Sequence, residues 1–329
     1  MYFARVASMN GGIPKEVPAL TLNRLCGTGL QAIVTAAQMI QLGDAKIAVA
    51  GGGESMSRSN YWLPSARWGA KMGDKAIVDS MVGALSDPFE GMHMGVTAEN
   101  VASEYDLGRE VQDAFALESH QRASRAIKNG LFKEQILPIE VKKGRNTLSF
   151  DTDEHVREDV SLENLEKLRT VFKKDGTVTA GNASGINDGA AALVLMDKEE
   201  AEQRGIKPLA QLVSYGHAGV DPRVMGLGPI PAVKSALKKG NLTINDIDIV
   251  ESNEAFAAQA CAVSQSLKFD PAKTNPNGGA VALGHPVGAT GAIITIKALY
   301  ELNRIKGQHA LVTMCIGGGQ GIAAIFKSI

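Results

Sequence analysis

A cysteine placed where a predicted strand gives way to a predicted helix is the first candidate for chemistry in this chain. Cys26 lies in the motif CGTG, between the apolar segment 19–25 and the helical pattern 30–42. A helix N-terminus carries partial positive charge and free N–H groups, which lower the pKa of a thiol and favour the nucleophilic thiolate. The flanking glycines leave room for a substrate. A small buried core cysteine is the competing interpretation.

The other two cysteines differ in their surroundings. Cys315 ends an apolar strand pattern and precedes the glycine run 317–319. A glycine run exposes consecutive backbone N–H groups that can bind an oxyanion, so Cys315 is a second candidate, with a core cysteine again as the alternative. Cys261 lies on the apolar face of the helical segment AFAAQACAVSQ and is interpreted as packing.

A histidine and an asparagine are candidates to assist these thiols. His285 stands in ALGHPVGATG, a glycine turn before a helix, where it is suited to be a general base or a hydrogen-bond donor. Asn253 follows a strand pattern and is predicted to open a helix together with Glu254. Such an asparagine is either an N-cap or an oriented amide that polarises a carbonyl or holds a water.

The remaining histidines carry weaker signals. His93, in GMHMG, suits the wall of an apolar channel. His120 and His155 lie among charged residues and are predicted to be solvated. His217 and His309 have no motif around them.

The elements that must position these residues form an α/β pattern. The predicted strands are residues 19–25, 46–50, 190–196, 209–214, 247–252, a short one after Gly279, and 310–315. The predicted helices are residues 30–42, 95–105, 109–129, 198–204, 231–239, 253–266 and 291–305. The strand 46–50 is expected to stop at the glycine run 51–53.

The two ends of the chain follow one order, a strand, a glycine turn, a helix, a strand and three glycines, which predicts two similar α/β halves. Cys26 and His285 then occupy equivalent turns and meet if the halves face each other. We assign residues 1–56 plus 187–207 to the N-terminal half, 57–186 to an insertion domain and 208–329 to the C-terminal half.

Composition restricts the classes of function. The 329 residues suggest about two domains, and a net charge of −1 gives no general signal for binding nucleic acid. No apolar run approaches the ~20 residues of a membrane span. Three cysteines in a chain this long argue against a disulfide scaffold and favour a reducing, cytoplasmic setting. Neither CxxC nor HExxH occurs, so no metal site is expected.

Long segments in a fixed order resemble the thiolase family. They are NRLCGTG, GGGESMS, HMGVTAENVA, GTVTAGNASGINDGAAA, GLGPIPA, NEAFAAQA, GGAVALGHPVGATGA and CIGGGQGIA. The similarity runs from about residue 3 to the end and is strongest to the short-chain β-ketothiolases, the acetyl-CoA C-acetyltransferases. It implies the five-layer thiolase fold with a large insertion (loop) domain for coenzyme A binding and tetramerisation. It also implies a homotetramer built from dimers, in which residues 61–77 resemble the tetramerisation loop.

The resemblance further implies condensation of two acetyl-CoA into acetoacetyl-CoA and CoA, and the reverse thiolysis, through an acyl-cysteine with ping-pong kinetics. Cys26 would accept the acyl group, His285 would activate it, and Cys315 would move the Cα proton. Asn253 would hold a water that forms one oxyanion hole with His285, and the N–H groups of Cys26 and Gly317 would form the other. Coenzyme A thioesters are substrates here, so no cofactor is expected.

A set of residues would line the path of the pantetheine arm, with one more near the nucleotide. The resemblance gives the lining set as Leu85, His93, Met94, Phe172, Ala180, Ser184, Ala255 and Phe256. Arg157 would lie near the nucleotide end.

Three alternatives stand beside this activity. A decarboxylating condensing enzyme of the same superfamily would place paired histidines, or histidine and asparagine, around the site, and the second cysteine, Cys315, favours thiolase. A broader-range 3-ketoacyl-CoA thiolase is the second alternative, although His93 and Met94 resemble the enzymes of short acyl chains. A non-catalytic or inactive truncated subunit is the third.

Family members carry a further segment ahead of the stretch that matches, which predicts an N-terminally shortened chain. The first family strand lies in the middle of its sheet, so its loss would leave unpaired strand edges and a bare apolar face. None of the catalytic candidates falls in that segment.

Overall fold

The structure is a computed structural model that describes residues 2–329. Its helices are α1 (Phe3–Asn10), α2 (Thr28–Gln41), α3 (Ser80–Ala84), α4 (Met94–Glu104), α5 (Arg109–Lys128), α6 (Leu162–Glu166), α7 (Lys198–Gln203), α8 (Pro229–Gly240), α9 (Ala257–Leu267), α10 (Ala280–Leu283) and α11 (Thr290–Arg304). Its strands are β1 (Ile47–Ser55), β2 (Tyr61–Trp62), β3 (Val78–Asp79), β4 (Ile139–Lys143), β5 (Asn146–Phe150), β6 (Asp188–Met196), β7 (Ala210–Gly219), β8 (Ile249–Ser252), β9 (His309–Ile316) and β10 (Gln320–Ser328).

The C-terminal sheet has four strands in the order β7-β10-β9-β8, with β8 and β9 parallel and the other pairs antiparallel. Strands β9 and β10 are almost continuously apolar because helices cover both faces. Side chains alternate between the two cores, as the period of a strand requires. Leu311 and Ile325 face α8 and α9, while Val312 and Met314 face α2 and α11.

In the N-terminal half, α2 packs against an antiparallel pair of strands, β1 and β6, and α11 of the C-terminal half packs against the same pair. Leu30, Ile33 and Val34 of α2 are fully buried in the same core as β9 and β10. This shared core joins the two halves of the molecule.

Two glycines let the N-terminal ends of α2 and α11 touch. A Cβ at Gly29 would lie 2.5 Å from the backbone nitrogen of Ala292, and a Cβ at Gly291 would lie 2.2 Å from that of Leu30. Neither position has room for a side chain, since backbone atoms cannot move aside easily. The turns that precede the two helices carry Cys26 and His285, so this contact draws those turns together.

Residues 57–186 form helices and short hairpins outside these sheets. Helices α4 and α5 pack on α9, and β2–β3 and β4–β5 are small two-stranded sheets. No helix in the described part of the chain has the length and apolarity needed to cross a membrane.

The structure confirms, within two residues at each end, the predicted positions of helices α2, α4, α5 and α11. The predicted strand 19–25 is wrong, because in the described chain this segment pairs with no neighbouring strand. A strand is held by backbone partners, and here the segment bonds to side chains instead. The amide of Arg24 donates to Thr28 Oγ1 at 2.9 Å, and that of Leu25 to Asn23 Oδ1 at 2.8 Å.

Three further predictions need correction. The glycines 51–53 do not end the strand, because β1 runs through them to Ser55. The segment after Gly279 is the short helix α10 instead of a strand, and α9 begins at Ala257 instead of residue 253. Strand β10 was not predicted.

Candidate active site

Cys26 lies in a 3-10 turn, Leu25–Gly27, directly ahead of α2. Gly27 lets this turn pack on β9, because a Cβ there would lie 2.5 Å from Ile316 Cδ1. The backbone N–H groups of Gly317 and of Cys26 itself lie near the thiol. A Cβ at Gly317 would lie 3.2 Å from Leu25 Cδ1, in the same turn as Cys26. The turn thus presents a cysteine to the glycine run of the opposite half.

The thiol of Cys26 is not pre-ionised. Burial raises its pKa to about 11, Glu54 adds to the rise, and the two backbone N–H groups offset only part of it. The predicted lowering of the pKa by the helix N-terminus is therefore wrong, since desolvation is the larger effect. At neutral pH the thiol keeps its proton and needs a base.

Cys315 lies at the end of β9, fully buried, and its thiol is close enough to Cys26 to feel its charge. Burial and then Cys26 raise the pKa of Cys315 above its ordinary value. Gly318 and Gly319 follow with φ of 81° and 82°, a conformation that favours glycine. The chain thereby turns back sharply, and Gly317 N–H stays beside Cys26.

His285 is held in one tautomer by a relay of hydrogen bonds. The hydroxyl of Thr290 donates to the carbonyl of Pro286 at 3.0 Å, so its oxygen accepts from His285 Nδ1 at 2.6 Å. The proton is therefore on Nδ1, and Nε2 carries the lone pair. Nε2 is buried and has no hydrogen-bond partner among the described residues. Burial lowers the pKa of His285 to about 4, so the ring is a neutral base at pH 7.

Asn253 lies in a non-helical turn after β8, which excludes the N-cap interpretation, because the N-cap residue of α9 is Phe256. Its backbone N–H donates to the carbonyl of Thr313 at 3.0 Å, which fixes the turn beside β9. Both amide atoms of its side chain are buried and have no partner within residues 2–329. A buried amide of this kind is suited to bind a ligand or a water.

Glu254, the next residue, anchors the same turn through hydrogen bonds of its side chain. Its carboxylate accepts from Ser119 Oγ at 2.7 Å, Asn275 Nδ2 at 2.8 Å and Val281 N at 3.2 Å. Because Ser119 belongs to α5, the segment 57–186 is tied directly to the turn of Asn253.

An apolar cluster surrounds Cys315 and contains most of the residues predicted to line the pantetheine path. Its members are Leu85, Met94, Ala98, Phe172, Val178, Ala183, Met225, Ala255, Phe256 and Cys315. His93 extends the cluster by stacking on Phe172 with ring centroids 4.7 Å apart, and Phe172 meets Phe256 edge to face at 6.2 Å. The amide of Ser184 donates to the carbonyl of Ala255 at 3.0 Å.

Of the predicted binding residues that are not members of this cluster, His93 and Ser184 contact it, while Ala180 and Arg157 are exposed. Ala180 is exposed in the turn after Thr179. Arg157 is exposed beside a 230 Å³ cavity, and its backbone N–H donates to His120 Nδ1 at 3.2 Å. His155 connects this region to Ser184, because its ring fills the space beside Gly185.

His120 corrects another expectation. It is buried instead of solvated, and burial lowers its pKa to about 4. His155 is half-buried against Gly185. Two charged neighbours of His120 in the sequence, Glu118 and Arg122, pair with each other at 2.7 Å, which local composition does not reveal.

Sequence reasoning missed several residues of the site, among them Met225 and Thr290. Met225 belongs to the apolar cluster. The only local signal for it is that it is apolar and lies just ahead of the motif GLGPIPA. Thr290 orients His285, and its signal is a hydroxyl five residues after the histidine, at the start of a helix.

Comparison with known proteins identifies the family. The family model of the thiolase N-terminal domain matches residues 1–199, and that of the C-terminal domain matches residues 206–328. The chain belongs to the thiolase family. Among curated thiolase relatives, it is 64% identical to the beta-ketothiolase BktB of Cupriavidus necator, over 100% of this chain and 84% of that protein. It is 51% identical to the acetyl-CoA acetyltransferase of Syntrophomonas wolfei, over 99% and 83% of the two chains.

Solved structures show that the chain has the thiolase fold. Human mitochondrial 3-ketoacyl-CoA thiolase superposes with a TM-score of 0.98 at 47% identity, over 100% of this chain and 83% of that one. The same human thiolase in complex with CoA gives a TM-score of 0.97 at 48% identity, over 100% and 82%. The predicted fold class and family are confirmed.

Proposed function

We propose that this thiolase condenses two acetyl-CoA into acetoacetyl-CoA and CoA, and cleaves short 3-ketoacyl-CoA in reverse. One observation carries the proposal. Two thiols from opposite halves of the chain, Cys26 and Cys315, lie close enough to interact electrostatically, and Gly317 packs on Leu25 beside the first. The names of relatives at 50–64% identity support the same activity.

In the first stage, His285 Nε2 takes the proton of the Cys26 thiol. The thiolate attacks the thioester carbonyl, and the N–H groups of Cys26 and Gly317 stabilise the oxyanion that forms. The C–S bond to coenzyme A then breaks, and the departing sulfur takes the proton of the Cys315 thiol. The products are acetyl-Cys26, protonated His285, the Cys315 thiolate and free CoA.

In the second stage, the Cys315 thiolate removes a Cα proton from a second acetyl-CoA. The enolate oxygen accepts hydrogen bonds from protonated His285 Nε2 and from a water held by Asn253. The enolate carbon attacks acetyl-Cys26, the C–S bond breaks, and the Cys26 thiolate regains its proton from His285. Acetoacetyl-CoA is released and all three residues return to their starting forms.

A high pKa suits Cys315 to both directions of the second stage. Once deprotonated it is a strong base, which the weakly acidic Cα–H of a thioester requires. In thiolysis its thiol protonates the acetyl-CoA enolate that leaves. Burial in the apolar cluster is the cause of that high pKa, so the side chains that surround Cys315 also set its strength as a base.

We propose that the pantetheine arm runs along the apolar cluster. Met94, Phe172 and Phe256 support this path, since their side chains pack together beside Cys315. Leu85, His93, Ala255 and Ser184 adjoin them. Arg157 is assigned to the nucleotide end and Ala180 to the entrance, and both are exposed as contacts with a polar ligand group require.

The two-cysteine mechanism is tested by labelling. After incubation with acetyl-CoA and acidic digestion, mass spectrometry should find the acetyl group on the peptide of Cys26. Cys315→Ala should keep that label but lose exchange of the acetyl-CoA methyl protons with deuterated water. A label on Cys261 or Cys315, or undiminished exchange in the variant, would contradict the assignment.

Acyl chain length is a separate proposal. We assign a short-chain preference, which the resemblance of His93-Met94 supports, while the name of the human structural relative favours a broader 3-ketoacyl range. Thiolysis rates with acetoacetyl-CoA and with a longer 3-ketoacyl-CoA distinguish the two. A faster reaction on the longer substrate would favour the broader activity.

We also propose a homotetramer in a reducing, cytoplasmic setting. Exposed apolar side chains around β2 and β3 support the assembly, with Trp68 82% and Met72 100% exposed. Three free cysteines support the setting. Trp68→Ser should shift the sedimentation coefficient from tetramer to dimer, and an unchanged coefficient would contradict the role of this loop.

A further inference from the structure

Arg24 lies two residues ahead of Cys26, and its side chain contacts residues that flank both cysteine turns. Its Nη1 donates to Gln31 Oε1 at 2.5 Å, and its Nη2 donates to Gln320 Oε1 at 3.3 Å. Gln31 belongs to the first turn of α2, whose N-terminal end carries Cys26. Gln320 opens β10 directly after the glycine run that follows Cys315. One side chain therefore spans the gap between the two halves.

The backbone of Arg24 also closes the turn that holds Cys26. Its carbonyl accepts from Gly27 N at 3.0 Å, and its N–H donates to Thr28 Oγ1 at 2.9 Å. The residue is half-buried, so these protein contacts fix the position of its side chain. A shift of the guanidinium would move the turn of Cys26 relative to the turn of Gly317.

We propose that Arg24 is a positioning residue that holds the Cys26 turn at the distance from which Gly317 N–H reaches the thiol. This inference rests on the proposed acyl transfer at Cys26. A guanidinium is suited to the role, since its planar fork donates in two fixed directions. The ammonium of lysine has one centre and a flexible stem, so it cannot hold both glutamines in the same geometry.

The neighbouring polar contacts provide a matched control. Gln38 lies two turns further along α2, where its Nε2 donates to Tyr215 Oη of β7 at 2.6 Å. This contact also joins α2 to the C-terminal sheet and is also half-buried, but it touches neither cysteine turn. Gln38→Ala therefore removes a similar interaction without disturbing the site.

The test compares wild type, Arg24→Met, Arg24→Lys, Gln320→Leu and Gln38→Ala. Two rates are read on the Cys26 peptide by mass spectrometry: acetylation by acetyl-CoA, and alkylation by iodoacetamide as a function of pH. Arg24→Met keeps the apolar stem but loses both donors. It should slow acetylation at least about tenfold, because small displacements of reacting groups cost large factors in rate. It should also move the alkylation midpoint to higher pH, since Gly317 N–H no longer favours the thiolate.

Arg24→Lys should recover part of the acetylation rate, Gln320→Leu should shift the alkylation midpoint in the same direction, and Gln38→Ala should match wild type. Equal rates and midpoints in Arg24→Met and wild type would overturn the role of Arg24. An equal loss of acetylation rate in Gln38→Ala would also overturn it, because it would mean that any weakened contact between α2 and the C-terminal sheet slows the reaction. Absence of the label in wild type would instead overturn the proposed acyl transfer, and the alkylation midpoints would still test Arg24.

Discussion

At the scale of single residues, burial shifts the pKa values of Cys26 and His285, the two groups proposed to start the reaction, in opposite directions. It raises the pKa of Cys26 to about 11 and lowers that of His285 to about 4. A thiol and a neutral imidazole are therefore the resting forms at physiological pH. We therefore propose that Cys26 is activated by proton transfer during the reaction, without a standing thiolate.

This pairing predicts a particular pH profile for acetylation of Cys26. His285 has a depressed pKa, so the free base is fully present above about pH 5 and is lost as the pH falls through 4. The rate of acetylation should be level between pH 6 and pH 9, measured by rapid quenching and mass spectrometry. A rise with a midpoint near 8.5, the ordinary value for cysteine, would indicate attack by a pre-formed thiolate instead.

The hydroxyl of Thr290 is predicted to matter through the tautomer that it imposes. Thr290→Val keeps the shape but removes the acceptor for His285 Nδ1–H, so the ring is free to place its proton on Nε2. Acetylation of Cys26 should slow by about tenfold, the value of one buried hydrogen bond. Thr290→Ser should restore the rate.

Thr295 supplies the control for that variant. It lies further along α11, where its hydroxyl donates to the carbonyl of Gly291 at 2.7 Å, away from the imidazole. Thr295→Val should acetylate at the wild-type rate. A comparable loss of acetylation rate in both valine variants would show that the substitutions act by disturbing α11, and not through the tautomer of His285.

At the scale of elements, glycines decide how closely the catalytic turns approach the strands. A Cβ at Gly52 of β1 would lie 1.9 Å from the carbonyl oxygen of Gly288, in the turn that carries His285. A Cβ at Gly51 would lie 2.1 Å from the carbonyl oxygen of Ala191 in β6. The glycine run is therefore an internal part of the strand, where two neighbours come too close for any side chain.

Gly52→Ala is predicted to disturb the turn of His285. The added methyl group meets backbone, which cannot rotate away, so the free energy of unfolding should fall by about 1–3 kcal/mol. Acetylation of Cys26 should fall with it. Denaturant unfolding and the labelling assay measure the two effects.

The next glycine gives the contrasting variant. A Cβ at Gly53 meets the ring of Phe3, a side chain that can turn aside. Gly53→Ala should therefore change stability less than Gly52→Ala. Equal losses in the two variants would mean that strand conformation, and not the approach of the turn, sets the requirement for glycine.

At the scale of the whole molecule, buried charges connect the C-terminal sheet to α11. Lys297 of α11 donates to Glu251 of β8 at 2.9 Å and to the carbonyl of Gly278 at 2.6 Å. Both side chains are almost fully buried. A buried pair of this kind adds little net stability but is costly to break, because the remaining charge has no partner.

Lys297→Met is predicted to lower the free energy of unfolding by about 3–5 kcal/mol, the cost of leaving Glu251 unpaired. The double variant Lys297→Met, Glu251→Leu should recover much of that loss, since neither charge remains. Denaturant unfolding of the two variants and the wild type measures the difference. A double variant no more stable than Lys297→Met would show that packing, and not the unpaired charge, causes the loss.

Local patterns were sufficient for four of the longer helices and for the identity of the reactive residue types. The positions of α2, α4, α5 and α11 follow from apolar periodicity and from end signals within a few residues of each terminus. Strand interactions are different, because a strand exists only where a neighbour accepts its backbone hydrogen bonds. The prediction of a strand at 19–25 and the omission of β10 both come from that limit. The domain boundaries and the roles of the site residues stay predictions.

What the amino-acid sequence by itself determined is the set of reactive groups, the helices that begin beside two of them, and the family to which their motifs belong. Only the tertiary structure decided their protonation and orientation. Desolvation depends on atoms from distant segments, so it reversed the expected shift of Cys26 and kept His285 neutral. The tautomer of His285 likewise depends on its hydrogen bond to Thr290. The proximity of Cys26 to Cys315 depends on close packing at glycines. Such effects act through space, and a local sequence window does not contain them.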